Sequence, residues 1–427
     1  MKRLLGTALL ATAVVALALA ALVWQLNLQG EPELSAPAPT VAGTPDLLAR
    51  GAYLALAGNC ASCHTTRGGI PYAGGRGIDT PFGTVYTSNL TPDAATGIGR
   101  WTPAEFWRAM HNGRARDGRL LYPAFPYTSY TEITRTDSDA LYAYLQSLPA
   151  TAQATTPHTL RWPYDTQAAL AVWRALYFRP GAPTLDATQS AEWQRGAYLV
   201  RGLGHCGACH TARNALGATE DRLNLAGGMI PMQNWYAPSL TSPHEAGMAD
   251  WPREDIVRLL QTGVAPGGSV LGPMAEVVLK STQHLSAEDL GAMATYLKAL
   301  PQATEPRRPI AAVDSRVAAR GSQLYERHCA QCHGDQGQGV KNAYPPLAGN
   351  RAVTMPQVAN LVQTVVNGGY APATAGNPRP FGMPPFVLVL NDADIAAVLS
   401  HIRSAWGNQA GGVTEIEVNR LRAGQGH

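Results

Sequence analysis

An unbroken apolar run from Leu4 to Trp24, 24 − 4 + 1 = 21 residues behind Lys2 and Arg3, opens the chain. A basic start followed by such a run exports a chain, and this one is long enough to cross a bilayer. Beyond it the pattern changes to short segments with apolar residues at helical spacing, and these recur in the same order three times. Each series opens with Arg-Gly or its like: Arg50-Gly51-Ala52-Tyr53-Leu54, Arg195-Gly196-Ala197-Tyr198-Leu199 and Arg320-Gly321-Ser322-Gln323-Leu324. Each has a middle helix that stops before a glycine, at Gly113, Gly263 and Gly368. Each closes with a helix, over Leu141–Leu148, Ala292–Leu300 and Ile395–Trp406.

The boundaries carry their own signals. Thr102-Pro103-Ala104-Glu105 reads as a capping box with proline at the first helical position. Ser286 with Asp289, and Asn391 with Asp394, read as caps with first-turn acids, and Pro149 and Pro301 stop the first two closing helices. A further apolar helix is expected from Ala168 to Phe178. Strand signals are scarce, so the fold class is mainly α.

Composition narrows the function. Charged residues are 15% of the chain, against about 25% in ordinary soluble domains. With 43 Gly and 32 Pro the chain is rich in loops. A net charge of +3 with no basic stripe excludes a nucleic-acid partner. Low charge fits a chain that buries surface against a partner or a membrane. The Pro/Ala-rich segment after the apolar run reads as a tether, which favours a retained anchor; Ala18-Leu19-Ala20 offers the alternative of a cleaved signal peptide.

All six cysteines fall in one motif, repeated: Cys60-Ala61-Ser62-Cys63-His64, Cys206-Gly207-Ala208-Cys209-His210 and Cys329-Ala330-Gln331-Cys332-His333. This is the attachment signature of haem c. Two thiols one helical turn apart reach the two vinyl groups, and the next histidine ligates iron. A zinc site would pair two such knuckles and leave the third over, and a thioredoxin-like motif would occur once. The expected organisation is therefore three tandem domains, each built around one covalently bound haem c. The segments are 1–28 anchor or signal peptide, 29–45 tether, 46–150 first domain and 151–190 linker with a helix. The second domain spans 191–303, a linker 304–312, the third domain 313–410 and a C-terminal tail 411–427.

A haem that transfers electrons commonly takes methionine sulfur as its sixth ligand. Met274, 274 − 263 = 11 residues after Gly263, and Met383, 383 − 368 = 15 after Gly368, sit in loops beside proline at that place. In the first repeat the place is held by Phe125, 125 − 113 = 12 residues after Gly113, and a phenyl ring cannot bind iron. Met110 aligns with buried helix positions. His111 would need its helix turned, and His158 reads as a surface residue of the linker. The first haem is expected to be five-coordinate or to have an unusual ligand.

Together these motifs resemble the three-haem cytochrome c subunits of bacterial membrane-bound dehydrogenases. Further stretches carry the likeness: Thr80-Pro81-Phe82-Gly83, Asn89-Leu90-Thr91-Pro92-Asp93, Leu121-Tyr122-Pro123-Ala124, Gly272-Pro273-Met274-Ala275-Glu276 and Tyr344-Pro345-Pro346-Leu347. The resemblance implies three cytochrome c-type domains and a subunit with no substrate site. It implies a catalytic dehydrogenase partner of PQQ, flavin or molybdenum type, with electrons passing to ubiquinone or the respiratory chain on the periplasmic side of the inner membrane. Phe125, where the alcohol and sugar branches have methionine, and Trp173-Arg174-Ala175-Leu176-Tyr177-Phe178 lean toward the molybdenum-partnered branch. Two other functions compete: a haem subunit of a terminal oxidase, and a peroxidase-like enzyme using an open first haem.

Overall fold

The computed structural model describes residues 2–28, 31, 43–182, 186–220, 224–304, 310, 312–341 and 343–423. Most of the expected tether, the middle of the 304–312 linker and the last four residues of the tail lie outside the described residues. The chain forms two compact units, one of residues 1–55 and 60–185, the other of 56–59 and 186–427. The second unit carries both the second and third repeats.

In the first unit the apolar run is a helix, Lys2–Leu28, long and apolar enough to cross a membrane, with its leucines and valines turned outward. Its last turn is different. Asn27 is buried; its amide donates to Ala171 O at 2.9 Å and its oxygen accepts from Arg174 Nε at 2.9 Å. Both partners lie on the linker helix Gln167–Tyr177, one residue ahead of the expected 168–178 because Thr166 caps it. Glu31 then pairs with Arg114 at 2.9 Å and Arg108 at 3.6 Å. The end of the apolar helix is thus built into the first unit.

Each repeat rests on one crossing of helices. The opening helices are Pro45–Ala57, Ala191–Ala197 and Ser315–His328; the closing helices are Arg135–Gln146, Ala287–Lys298 and Asp392–Ser404. The second and third closing helices begin at the caps read from sequence, Ser286 and Asn391, ahead of their apolar stretches, and the first begins six residues before Leu141 because its polar first turn is held by the unread cap Thr134. At the crossing a methyl group on Gly51 would lie 2.0 Å from Ala140 O, on Gly196 2.0 Å from Ala292 O, and on Gly321 2.2 Å from Ala397 O. Only glycine lets the backbones meet. The preceding arginine ties the crossing: Arg50 to Asp137, Arg195 to Asp289 and Arg320 to Asp394, each with its Nε at 2.7 Å. These aspartates are also the residues whose backbone N–H the cap side chain accepts, so one short polar turn both starts the closing helix and holds the opening one.

The opening helix must deliver its cysteines to the same place over different lengths. Arginine to first cysteine is 60 − 50 = 10, 206 − 195 = 11 and 329 − 320 = 9 residues. The longest connection is absorbed by a π-helical turn over Tyr198–Leu203, followed by His205 at φ +38°. The shortest runs as unbroken helix to His328.

The middle helices are Pro103–Asn112, Arg253–Thr262 and Ala359–Asn367, and Gly113, Gly263 and Gly368 follow them at positive φ. The capping box forms: Glu105 N donates to Thr102 Oγ1 and Thr102 N to Glu105 Oε2. Strands are short, as scarce signals predict: Gly77–Thr80 with Gly83–Tyr86, which Thr159–Leu160 extends to three strands, and the pairs Gly228–Ile230 with Trp235–Ala237 and Gly369–Tyr370 with Gly382–Met383. The third repeat packs a core in which Val362, Ile395, Leu399 and Val418 are fully buried.

Candidate metal centres

Three histidines are held in one way. His64 Nδ1 lies 2.7 Å from Ser88 O, His210 Nδ1 2.7 Å from Pro238 O, and His333 Nδ1 3.1 Å from Pro345 O. A carbonyl only accepts, so each Nδ1 carries the proton and each Nε2 keeps its lone pair for a metal. The histidine carbonyls are fixed as well. Gly74, Gly227 and Gly339 donate to them, each at 2.8 Å, from positive φ of 76°, 87° and 67°. A side chain on Gly74 would meet the Ser88 carbonyl carbon at 2.4 Å. That explains the glycine-rich loop Gly68–Gly77: it brings the backbone against the histidine. Burial lowers the pKa of all three rings, so they are neutral at pH 7.

The cysteines sit in or at the start of one-turn helices beside these rings, Cys60 and Cys63 within Cys60–Cys63, Cys206 just before Gly207–His210 and Cys329 just before Ala330–His333. Burial and the partner thiol push Cys60 and Cys206 up to about 12 and Cys329 up to about 11. A neutral thiol is the species that adds sulfur and hydrogen across a vinyl group. Among the described residues no three His, Cys, Asp or Glu side chains gather to hold a bare metal ion. A thiol pair beside an imidazole whose Nε2 is left free is the set that a covalently bound haem takes.

In the third repeat a cavity of about 900 Å³ is lined by Cys329, Cys332, His333 and Met383. Both residues read as its axial ligands therefore face one space. Met274 stands in the first turn of a helix, Pro273–Lys280, that Gly272 starts at φ +56°.

Phe125 stands in the turn before the short helix Tyr127–Tyr130, its ring 5.4 Å from that of Tyr130. Burial, with Cys60 and Cys63 close by, pushes the Tyr130 phenol well up. Phe125 therefore packs on a residue adjoining the first attachment site. Met110 is a buried residue of the middle helix, as its alignment predicts. His111 stacks on Trp107, ring centroids 4.4 Å apart. His158 corrects the expectation of a surface residue: it is half-buried, accepts from Tyr86 N at 3.1 Å and meets Tyr122 edge-on.

The carbonyl and glycine clamps escape sequence reading because they act at different separations: 88 − 64 = 24, 238 − 210 = 28 and 345 − 333 = 12 residues for the carbonyls. The arginine–aspartate ties were not read from the sequence either, although Arg-Gly recurs in every repeat and Asp289 and Asp394 stand out as first-turn acids.

Residues 48–149 and 318–406 match the Cytochrome c family. The cytochrome c subunit of the alcohol dehydrogenase (quinone) of Gluconacetobacter polyoxogenes is 39% identical over 409 residues, 90% of this chain and 86% of that one. The gluconate 2-dehydrogenase cytochrome c subunit of Pantoea cypripedii is 37% identical over 399 residues, 88% of this chain and 89% of that one. The fructose dehydrogenase cytochrome subunit of Gluconobacter japonicus is 34% identical over 427 residues, 93% of this chain and 86% of that one.

Proposed function

Because this chain belongs to the cytochrome c subunits of membrane-bound dehydrogenase complexes, and is an electron-transfer subunit, we propose that it carries electrons through three haems c. The donor is a catalytic dehydrogenase subunit, and the acceptor is ubiquinone or a downstream respiratory carrier. The observation that carries the count of three is the histidine clamp, which the second repeat makes with the same two contacts as the first and third.

In this reading Cys60 and Cys63, Cys206 and Cys209, and Cys329 and Cys332 hold the three groups. His64, His210 and His333 would each ligate a haem iron through Nε2, and Met274 and Met383 would supply the further ligand at the second and third. Haem iron supplies one-electron chemistry when bound. The chain's part is to fix each imidazole by its Nδ1–H, to exclude water with the closing and middle helices, and to set each potential by the opposite ligand. Phe125 withholds that ligand at the first site, which keeps the partner of molybdenum type the favoured one. The apolar helix is a retained anchor, because Asn27 and Glu31 bond into the first unit. The folded part then stands on the periplasmic side.

Purification of the tagged chain from its native membrane tests this. A dehydrogenase should co-purify, and its substrate should reduce the haems without added dye. Co-purification of an oxidase instead, or substrate oxidation by the isolated chain, would overturn the reading.

A further inference from the structure

The second and third repeats share a wall, and it is made of the loops that carry their methionines. A side chain on Gly263 would strike Pro372 at 2.3 Å, and Thr374 Oγ1 donates to Thr262 O at 3.3 Å. The hairpin of Val264–Ala265 with Gly268–Ser269, which leads to Met274, lines the cavity of His333 and Met383.

One residue sits where these loops converge. Trp235 lines that same cavity. Its other contact is Gly272, two residues before Met274, where an added methyl would lie 2.6 Å from the indole. The backbone around it is fixed from both repeats. Tyr236 N donates to Asn360 Oδ1 and Asn360 Nδ2 donates to Tyr236 O, both at 2.8 Å, tying the strand to the middle helix of the third repeat. Three residues on, Pro238 O takes the Nδ1 proton of His210. This strand and the proline after it thus orient the histidine of the second site and set an indole beside its methionine turn and in the wall of the third.

We propose that Trp235 is the bridge through which the second and third haems exchange electrons. This rests on the ligand sets of the preceding section. One electron leaves one iron and arrives at the other; no bond forms or breaks, and Trp235 itself is neither oxidised nor reduced. Tunnelling decays more steeply across a void than through packed atoms, and this indole lines the third site while lying against Gly272, two residues before Met274. Trp235 is a positioning and conducting residue, not a catalytic one.

The test uses the full-length haem-loaded protein. A laser-excited soluble dye injects one electron per chain, and redistribution among the haems is followed optically. The phase belonging to the third haem is identified by its change in Met383→His. Trp235→Leu should slow that phase roughly tenfold, because it opens a gap in the contact. Midpoint potentials and the methionine-to-iron charge-transfer band should stay as in the native protein. Trp235→Phe, which keeps a ring in place, should stay within about threefold of native. An unchanged rate in Trp235→Leu would overturn the proposal. So would slowing accompanied by loss of the methionine band, which would make the residue a prop for Met274 alone. If Met383→His leaves the native spectrum untouched, the ligand reading itself fails, and the two failures are told apart.

Discussion

Phe125 and Met274 show how much one side chain decides when the scaffold around it is repeated. Each follows a glycine-ended middle helix, Phe125 in a turn and Met274 in the first turn of a helix rather than in the expected loop, and at Phe125 no sulfur is offered. Phe125→Met should add a third methionine-to-iron band, raising its total intensity by about half, because two such ligands become three. One midpoint potential should rise and the other two stay within error in a spectroelectrochemical titration. The three Cys-x-x-Cys-His motifs were legible because haem attachment needs a fixed local spacing, and of the two methionines proposed as ligands Met383 shares a cavity with Cys329, Cys332 and His333. The partners of His64, His210 and His333 were not legible. Backbone carbonyls carry no side-chain signal, and the loops that bring Ser88, Pro238 and Pro345 into place differ in length.

At the scale of elements the stability of each repeat concentrates at one helix crossing. Gly196→Ala would force a methyl to 2.0 Å from Ala292 O, so the helices must separate. A loss of about 3 kcal/mol is expected in a denaturant melt of the haem-loaded protein followed by haem absorbance. Thr102→Ala, which removes one cap bond from a half-buried helix start, should cost only about 1 kcal/mol by the same measurement. Equal effects would show that the crossing is not the weak point. Periodicity found the helices, the caps Ser286 and Asn391 placed the starts of two closing ones, and the first was placed late because its polar first turn follows a cap, Thr134, that apolar stripes do not mark. The π-helical turn at Tyr198–Leu203 had a trace in the sequence, the one extra residue relative to the first repeat, but its form depends on where the cysteines must land.

For the whole molecule, the apolar helix and the first unit behave as one piece. Asn27 and Glu31 meet Arg174, Arg114 and Arg108, contacts that join residues more than 70 positions apart and left no mark in local pattern. Intact mass of the membrane-extracted protein should include residues 2–28, and deleting them should release a haem-loaded chain into the soluble fraction. A mature chain starting after Ala20 would contradict the anchor. The central claim is that this subunit carries three haems, two with methionine ligands and one without. A redox titration with simultaneous iron and protein quantitation, monitored by magnetic circular dichroism, tests it most directly. The account predicts three irons per chain, two titrating at higher potential with the methionine charge-transfer signal and one at lower potential lacking it. Two irons per chain, or three equivalent methionine-ligated haems, would contradict it.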